Sequence, residues 1–245
     1  MKYIQKPIIF FLIALSMVGK KAEAYDSAVA YQAWYVLHQM EKQAAIPKGL
    51  LMAMSLVETG QAMEGSILPW PYTINTNGKT LYMTRKDLQK KYPYMEQAGV
   101  RSISVSWKDT LAHKYSLSEF RERMSEFPSD APLKLKIHPF SKRYKTKNEA
   151  TSVARNLIAL GHTNFDAGLL QVNWMYHGEN FNQVDHVFDP SKNVKYAVNY
   201  LRKHKKDRDW WRSVGRYHSG TEKYAKRYIE NVWEMYQKVH RLPSV

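Results

Sequence analysis

Three short segments carry side chains suited to acid–base work on a saccharide. Glu58 follows Leu50, Leu51, Met54 and Val57, whose spacing predicts a helix that Gly60 ends. A carboxyl group on the last turn of an apolar helix is partly buried, and burial raises its pKa until it holds a proton near neutral pH, as a general acid must. A lone Glu at a helix end is ordinarily a solvated charge, so the weight falls on what lies downstream. Asp166-Ala167-Gly168-Leu169-Leu170-Gln171-Val172-Asn173 offers a glycine where backbone can approach closely and two amide side chains. Arg216-Tyr217-His218-Ser219-Gly220 then combines aromatic and polar groups just before a helix. Amides bond hydroxyl and acetamido groups, and aromatic rings stack on the apolar faces of sugars.

The elements that must position these groups are mostly helical. Asp26 and Ser27 cap a first helix to about Gln43, with Ala30, Trp34 and Leu37 on one face, and Pro47 opens the helix that leads to Glu58. Asn77-Gly78, between Tyr72–Thr76 and Lys79–Tyr82, predicts a β-hairpin. Thr146 to Glu149 is a capping box for a helix that Gly161 closes. Three more helices follow, at about 191–205, 209–218 and 221–241, and their apolar stripes are read as core. Between Thr84 and Lys147 the sequence predicts a strand at Val100–Trp107, a capped helix at Ser116–Glu119 and a half-buried strand through Leu133, Leu135 and Ile137. Gly99-Val100-Arg101-Ser102-Ile103 echoes Gly161-His162-Thr163-Asn164-Phe165, too briefly to count as a repeat.

Charge and composition narrow the setting. The 245 residues hold 37 Lys+Arg against 22 Asp+Glu, a formal +15, which points to a polyanionic partner. Zero Cys excludes disulfides, thiolate metal sites, Cys nucleophiles and a Cys-linked lipid anchor. Lys2 and Lys6, the apolar run Pro7–Val18 and Ala22-Glu23-Ala24 make residues 1–24 an expected export signal, too short in its apolar part to span a bilayer. Its removal takes four Lys and one Glu and leaves +12, of which residues 84–147 carry +8. The expected organisation is therefore a signal at 1–24 and one domain at 25–245, interrupted by a basic insert at about 84–147. That insert is either an ordinary solvated surface or a docking surface for an acidic polymer. The product would be periplasmic or secreted, with no stable membrane span after cleavage.

In this order the three segments resemble the soluble lytic transglycosylase family, whose catalytic domain is similar to goose-type lysozyme. The family's Glu-Ser, Gly-Leu-Met-Gln, Ala-Tyr-Asn-Ala-Gly and late Tyr stand here as Glu58-Thr59, Gly168-Leu169-Leu170-Gln171, Tyr217-His218-Ser219-Gly220 and Tyr228. Phe188-Asp189-Pro190 with Asn193 and Tyr200-Leu201-Arg202 looks like the link between the last motifs. Trp70-Pro71-Tyr72-Thr73-Ile74-Asn75 and Gln171-Val172-Asn173-Trp174 look like the specialised branch associated with conjugation and secretion machines, which would make such an envelope-spanning complex a partner. The resemblance covers about 44–82 and 147–236. It implies a mainly α, α+β lysozyme-like fold and cleavage of the MurNAc–GlcNAc β-1,4 bond of peptidoglycan, with a 1,6-anhydro end and no cofactor. Glu58 would be the acid and base; Thr59, Leu170, Gln171, Asn173, Tyr217, His218 and Tyr228 would bind substrate or orient the carboxyl. Thr for Ser, Leu for Met and His218 for Asn are departures, and His218 titrates near neutral pH.

Two other readings stay open. A lysozyme-like hydrolase would need a second carboxylate, for which Asp166 is the candidate, although a loop cap is the simpler role for it. A noncatalytic wall-binding or assembly protein could keep the fold without turnover. The histidines fall in no metal-binding spacing, and neither a Walker loop, a dinucleotide fingerprint nor a G-x-S-x-G elbow appears. Nucleic acid would rest on charge alone and is not expected as a partner.

Overall fold

The computed structural model describes residues 25–63, 65–108, 110–205 and 209–241; the expected export signal lies outside them. Helix α1 (Ser27–Ala44) starts at Asp26, whose carboxylate accepts the Ala28 N–H, and ends at Ala45 in the left-handed region. Helix α2 (Leu50–Thr59) has no side-chain cap of its own. Instead the buried carboxylate of Glu41, from α1, accepts the N–H groups of Gly49, Leu51 and Met52 at 2.7–3.2 Å. Burial raises the Glu41 pKa and those three donors pull it back, so the otherwise orphaned N–H groups of α2 are satisfied inside the core. Ten residues on from this anchored start the helix ends, with Glu58 on its last turn.

The chain then makes strands β1 (Gln61–Met63), β2 (Ser66–Leu68), β3 (Thr73–Thr76) and β4 (Lys79–Met83), helix α3 (Arg85–Gln97), and strands β5 (Ser102–Trp107) and β6 (His113–Ser116). Helix α4 (Leu117–Glu122) follows, opened by a full capping box of Ser116 and Glu119. Strands β7 (Leu133–Ile137) and β8 (Phe140–Arg143), helix α5 (Lys147–Ala159), strands β9 (Phe165–Ala167) and β10 (Val172–Asn173), and helices α6 (Trp174–His177), α7 (Pro190–His204), α8 (Trp210–His218) and α9 (Glu222–Arg241) complete the order. Helices predominate and the sheets are small, as the mainly α, α+β reading expected. Helices α1, α2, α7, α8 and α9 share one core around Leu51, Met54, Leu169, Leu170, Val198 and Val232. A second core joins the sheets to α3 and α5 through Ile74, Leu88, Met95, Ile103, Leu135, Leu157 and Phe165.

The Asn77-Gly78 hairpin is not formed. Strand β3 pairs with β8 and β9, whereas β4 pairs with β7 in a different sheet. Neither Asn77 nor Gly78 takes the positive φ of a tight hairpin turn, and the Asn77 N–H bonds Asn164 O in the first sheet. The dipeptide carries the chain from one sheet to the next, so long-range pairing overrides the local turn preference. Consecutive strands pair instead at β1–β2, β5–β6 and β9–β10.

The two four-stranded sheets repeat one frame. Their orders are β10-β9-β3-β8 and β6-β5-β7-β4, antiparallel throughout. In each, a strand feeds a 13-residue helix capped by a Thr, Thr84 for α3 and Thr146 for α5. Each helix ends at a glycine with φ near +73°, Gly99 or Gly161. The closing bonds correspond one for one: Gly99 N–H to Glu96 O and Val100 N–H to Met95 O in one copy, Gly161 N–H to Ile158 O and His162 N–H to Leu157 O in the other. The short echo in the sequence is therefore the visible part of a repeated β-α-β unit. Most of the rest has changed side chains while keeping the buried positions, Leu88, Tyr92 and Met95 standing where Ala150, Ala154 and Leu157 stand.

Candidate active site

A cleft of about 700 Å³ runs between the helical half and the first sheet, and Glu58 lies in its wall. Burial pushes the Glu58 carboxyl up to about 7; the Tyr228 hydroxyl opposes this by favouring the carboxylate, and the negative charge of Asp166 adds to it. The buried Tyr228 hydroxyl makes no hydrogen bond of ordinary length and angle. Its contact with the carboxyl is thus a loose one, of the kind that tightens when substrate fills a site. His218 stacks on the Tyr228 ring at 4.4 Å and 4°, and burial lowers its pKa.

The turn opposite Glu58 is held from every side. Gly168 has φ +82°, and a Cβ there would lie 2.1 Å from Val187 O and 2.4 Å from Asn193 Nδ2, so only glycine fits. The fully buried Asn193 amide, on α7, donates to the carbonyls of Ala167 and Val187 and accepts from the Leu170 N–H. Thr59 and Ser55 both donate to Leu169 O at 3.1 Å, and Tyr217 donates to Leu170 O at 2.7 Å. Thr59 thus ties the end of α2 to this turn from behind the cleft, and Leu170 is fully buried in the helical core.

Gln171 also takes a left-handed backbone, φ 46°. Its Nε2 donates to Gly168 O at 2.8 Å and Thr73 O at 3.3 Å, and its Oε1 accepts from Asn75 Nδ2 at 2.7 Å. Both donors of the Gln171 amide are consumed in holding the turn, and the Asn75 Oδ1 beyond it is left without a partner. Asp166, Asn75 and Asn173 lie side by side across β9, β3 and β10. Asn173 Nδ2 donates to Asp166 at 2.9 Å and to Asn164 at 3.0 Å. Asp166 stands in strand β9 facing the cleft rather than capping a loop, and burial raises its pKa while Asn173 lowers it.

Of the residues singled out in the sequence, Glu58, Gln171, Asn173, Tyr217 and His218 line the cleft, with Asp166 among them. Tyr228 stands against Glu58 and His218, and Thr59 and Leu170 lie behind. The sequence reading missed Asn75 as a site residue, and with it the aromatic wall of His177, Tyr196 and Tyr200. Tyr196 and Tyr200 are one turn apart on α7 with rings 6.2 Å apart, His177 lies 5.0 Å from Tyr200, and Tyr200 meets Tyr217 edge-on at 5.8 Å. The i, i+4 spacing of the two tyrosines was a signal for this wall, although such a stripe usually means core.

Residues 145–238 match the family described as Transglycosylase SLT domain. No curated protein and no solved structure matches the chain. The matched stretch contains the Gly168 turn, Asp166, Asn173, Tyr217, His218 and Tyr228, whereas Glu58 and Asn75 precede it. Fold and cleft agree with this match: residues 145–238 are similar to the transglycosylase SLT domain, whose members are lytic transglycosylases, lyases acting on peptidoglycan.

Proposed function

We propose that Glu58 is the acid and base of a nonhydrolytic cleavage of the MurNAc–GlcNAc β-1,4 bond. The observation that carries this is the Glu58 carboxyl, buried in the wall of a saccharide-sized cleft and held at a pKa of about 7. Protonated, Glu58 gives its proton to the glycosidic oxygen as the C1–O bond breaks. The substrate's own acetamido oxygen attacks C1 and holds the positive charge, which is substrate assistance in place of a second carboxylate. The Glu58 carboxylate then takes the proton of the C6 hydroxyl, whose oxygen displaces the acetamido oxygen and closes the 1,6-anhydro ring. No water is consumed and Glu58 ends protonated, ready for another cycle.

In this scheme Tyr228 orients the carboxyl and steadies its ionised form between the two steps. Asn75, Asn173 and His218 offer hydrogen-bonding groups to the sugars, Tyr196 and Tyr200 offer ring faces, and Gln171, Tyr217, Thr59 and Leu170 fix the turn that shapes the groove. Purified Glu58→Gln protein is expected to lose at least about 1,000-fold in release of muropeptides from sacculi, and retained activity would overturn the assignment. Asp166 favours one competing reading, since its carboxyl faces the cleft near Glu58 and could activate water. Mass spectrometry of wild-type products separates the two, because an anhydro end and a reducing end differ by one water.

We further infer that the enzyme acts outside the cytoplasm, with residues 1–24 as its export signal, and that a conjugation or secretion machine is its partner. N-terminal sequencing of the exported protein, expected to begin at Tyr25, tests the first point.

A further inference from the structure

The repeated frame contains a second row of side chains where the catalytic sheet has its groove floor. Strand register equates the row Ser141, Asn75, Asp166, Asn173 with the row Thr80, Lys136, Ser104, Lys114. One position along the same face, Tyr82, Lys134 and Ser106 form a parallel row. His138 stands where Asn77 does: its N–H bonds Ser102 O as the Asn77 N–H bonds Asn164 O, and its ring bonds the Ser104 hydroxyl at 2.9 Å. Lys114, Lys134 and Lys136 are exposed, as is Tyr82 at 70%. Among the described residues none of these three lysines has an ion-pair partner.

The face has a chemical character that solubility alone does not ask for. A solvated sheet surface ordinarily mixes both signs, yet no strand position on this face is acidic. The charge is focused as well: burial first, then the positive charges of Lys114 and Lys136, hold His138 below the usual histidine range. Lys136 and Lys114 sit two strands apart, about 10 Å, and Lys134 and Lys136 about 7 Å apart along one strand. Ser104 lies between Lys136 and Lys114, with Ser106 beside Lys134 and Thr80 on the outer side of Lys136. In peptidoglycan the sugars are read through neutral hydroxyl and acetamido groups, and carboxylates project on the peptide stems. One sheet of this protein presents amides and the other presents cations.

We propose that this open face, Lys114, Lys134 and Lys136 around Ser104 with Tyr82 beside them, is a second binding site that docks the carboxylates of peptidoglycan peptide stems. It rests on peptidoglycan being the substrate of the cleft and adds a separate anchoring point on the same polymer. The test compares two full chains in the Glu58→Gln background, one of them also carrying Lys114→Ser, Lys134→Ser and Lys136→Ser. Each is sedimented with sacculi stripped of phosphate polymers. The triple substitution should weaken binding about tenfold at low salt, the gap should shrink as salt rises, and the matching Lys→Arg triple should bind as the parent does. On sacculi whose carboxyls have been amidated, the parent should fall to the level of the Lys→Ser triple.

Equal binding by parent and Lys→Ser triple would overturn the proposal. So would a gap that survives amidation, or one that appears only when phosphate polymers are left on the sacculi. A thermal melt of the Lys→Ser triple matching its parent keeps a folding defect from passing as lost docking. Because binding is read on chains without Glu58, the result does not depend on the cleavage chemistry. Failure of that chemistry shows only in products released by the wild type, whereas no binding of the parent to sacculi of any kind would sink both.

Discussion

On the β10-β9-β3-β8 sheet, Asn75, Asp166 and Asn173 lie in a cleft walled by Glu58, Tyr217 and His218. On the β6-β5-β7-β4 sheet, the corresponding Lys136, Ser104 and Lys114 belong to a face on which both lysines are exposed. The two share strand order, helix length, capping residue and closing glycine, so the β-α-β frame alone does not make a reaction site. What differs is the covering layer. Helices α2, α8 and α9 bring a carboxyl out of water beside the first sheet, and this desolvation lets a glutamate keep its proton. The second sheet, left in water, can hold full charges at little cost.

The contrast is sharpest at Gly168. Its counterpart on the second sheet is Ser106, reached through the same row as Lys134, and Ser106 carries its side chain there without difficulty. Gly168→Ala should cost about 3 kcal/mol or more in urea denaturation, because the added Cβ meets Val187 O and the Asn193 amide in a positive-φ backbone. Ser106→Ala should stay within about 0.5 kcal/mol. Similar costs at both sites would mean that the two frames are packed alike, and the comparison would lose its basis.

Much of this was legible in the sequence where physics is local. Helix ends were readable because Asp26, Thr146 and Gly161 satisfy backbone groups within a few residues of themselves. Leu133, Leu135 and Ile137 alternate as a half-buried strand must. Glu58, Asn173, Tyr217 and His218 were placed by motif order, and they meet in one cleft. Partnership across the chain was not legible. Asn77-Gly78 has the composition of a hairpin turn, and only the pairing of β3 with β9 and of β4 with β7 decides otherwise. Asn75 gains its place through Gln171, 96 residues away. The repeat was hidden because burial at equivalent positions conserves apolar character and not residue identity.

Next in size is a stability effect of the Glu58 carboxyl itself. Below pH 4.5 Glu58 is protonated whether the chain is folded or not. As pH rises from 4.5 toward 7 the unfolded chain releases this proton and the folded chain keeps it, so folding is progressively penalised, fully so above about 7. Glu58→Gln removes the titration. Its stability relative to wild type should therefore grow by roughly 1–3 kcal/mol between pH 4.5 and 8, read by denaturation at both pH values. A gap that stays constant would mean that Glu58 is as well solvated as the lysines of the open face.

The smallest effects separate the two neighbours that tune Glu58. Asp166→Ser installs the residue of the second sheet's equivalent position and removes a negative charge that raises the Glu58 pKa. Tyr228→Phe removes the hydroxyl that favours the carboxylate, and costs little elsewhere because that hydroxyl has no other partner. The alkaline limb of kcat/KM, set by loss of the acid's proton near pH 7, should therefore move down by roughly half a unit in Asp166→Ser and up by a similar amount in Tyr228→Phe. Asp166→Ser also bears on the chemistry: a hydrolase that used Asp166 to position water would lose most of its turnover. A transglycosylase whose substrate supplies its own nucleophile would mainly shift its pH profile. Movement of both limbs in the same direction would show that burial alone governs Glu58, and that the polar row beneath it serves the sugar without tuning the acid.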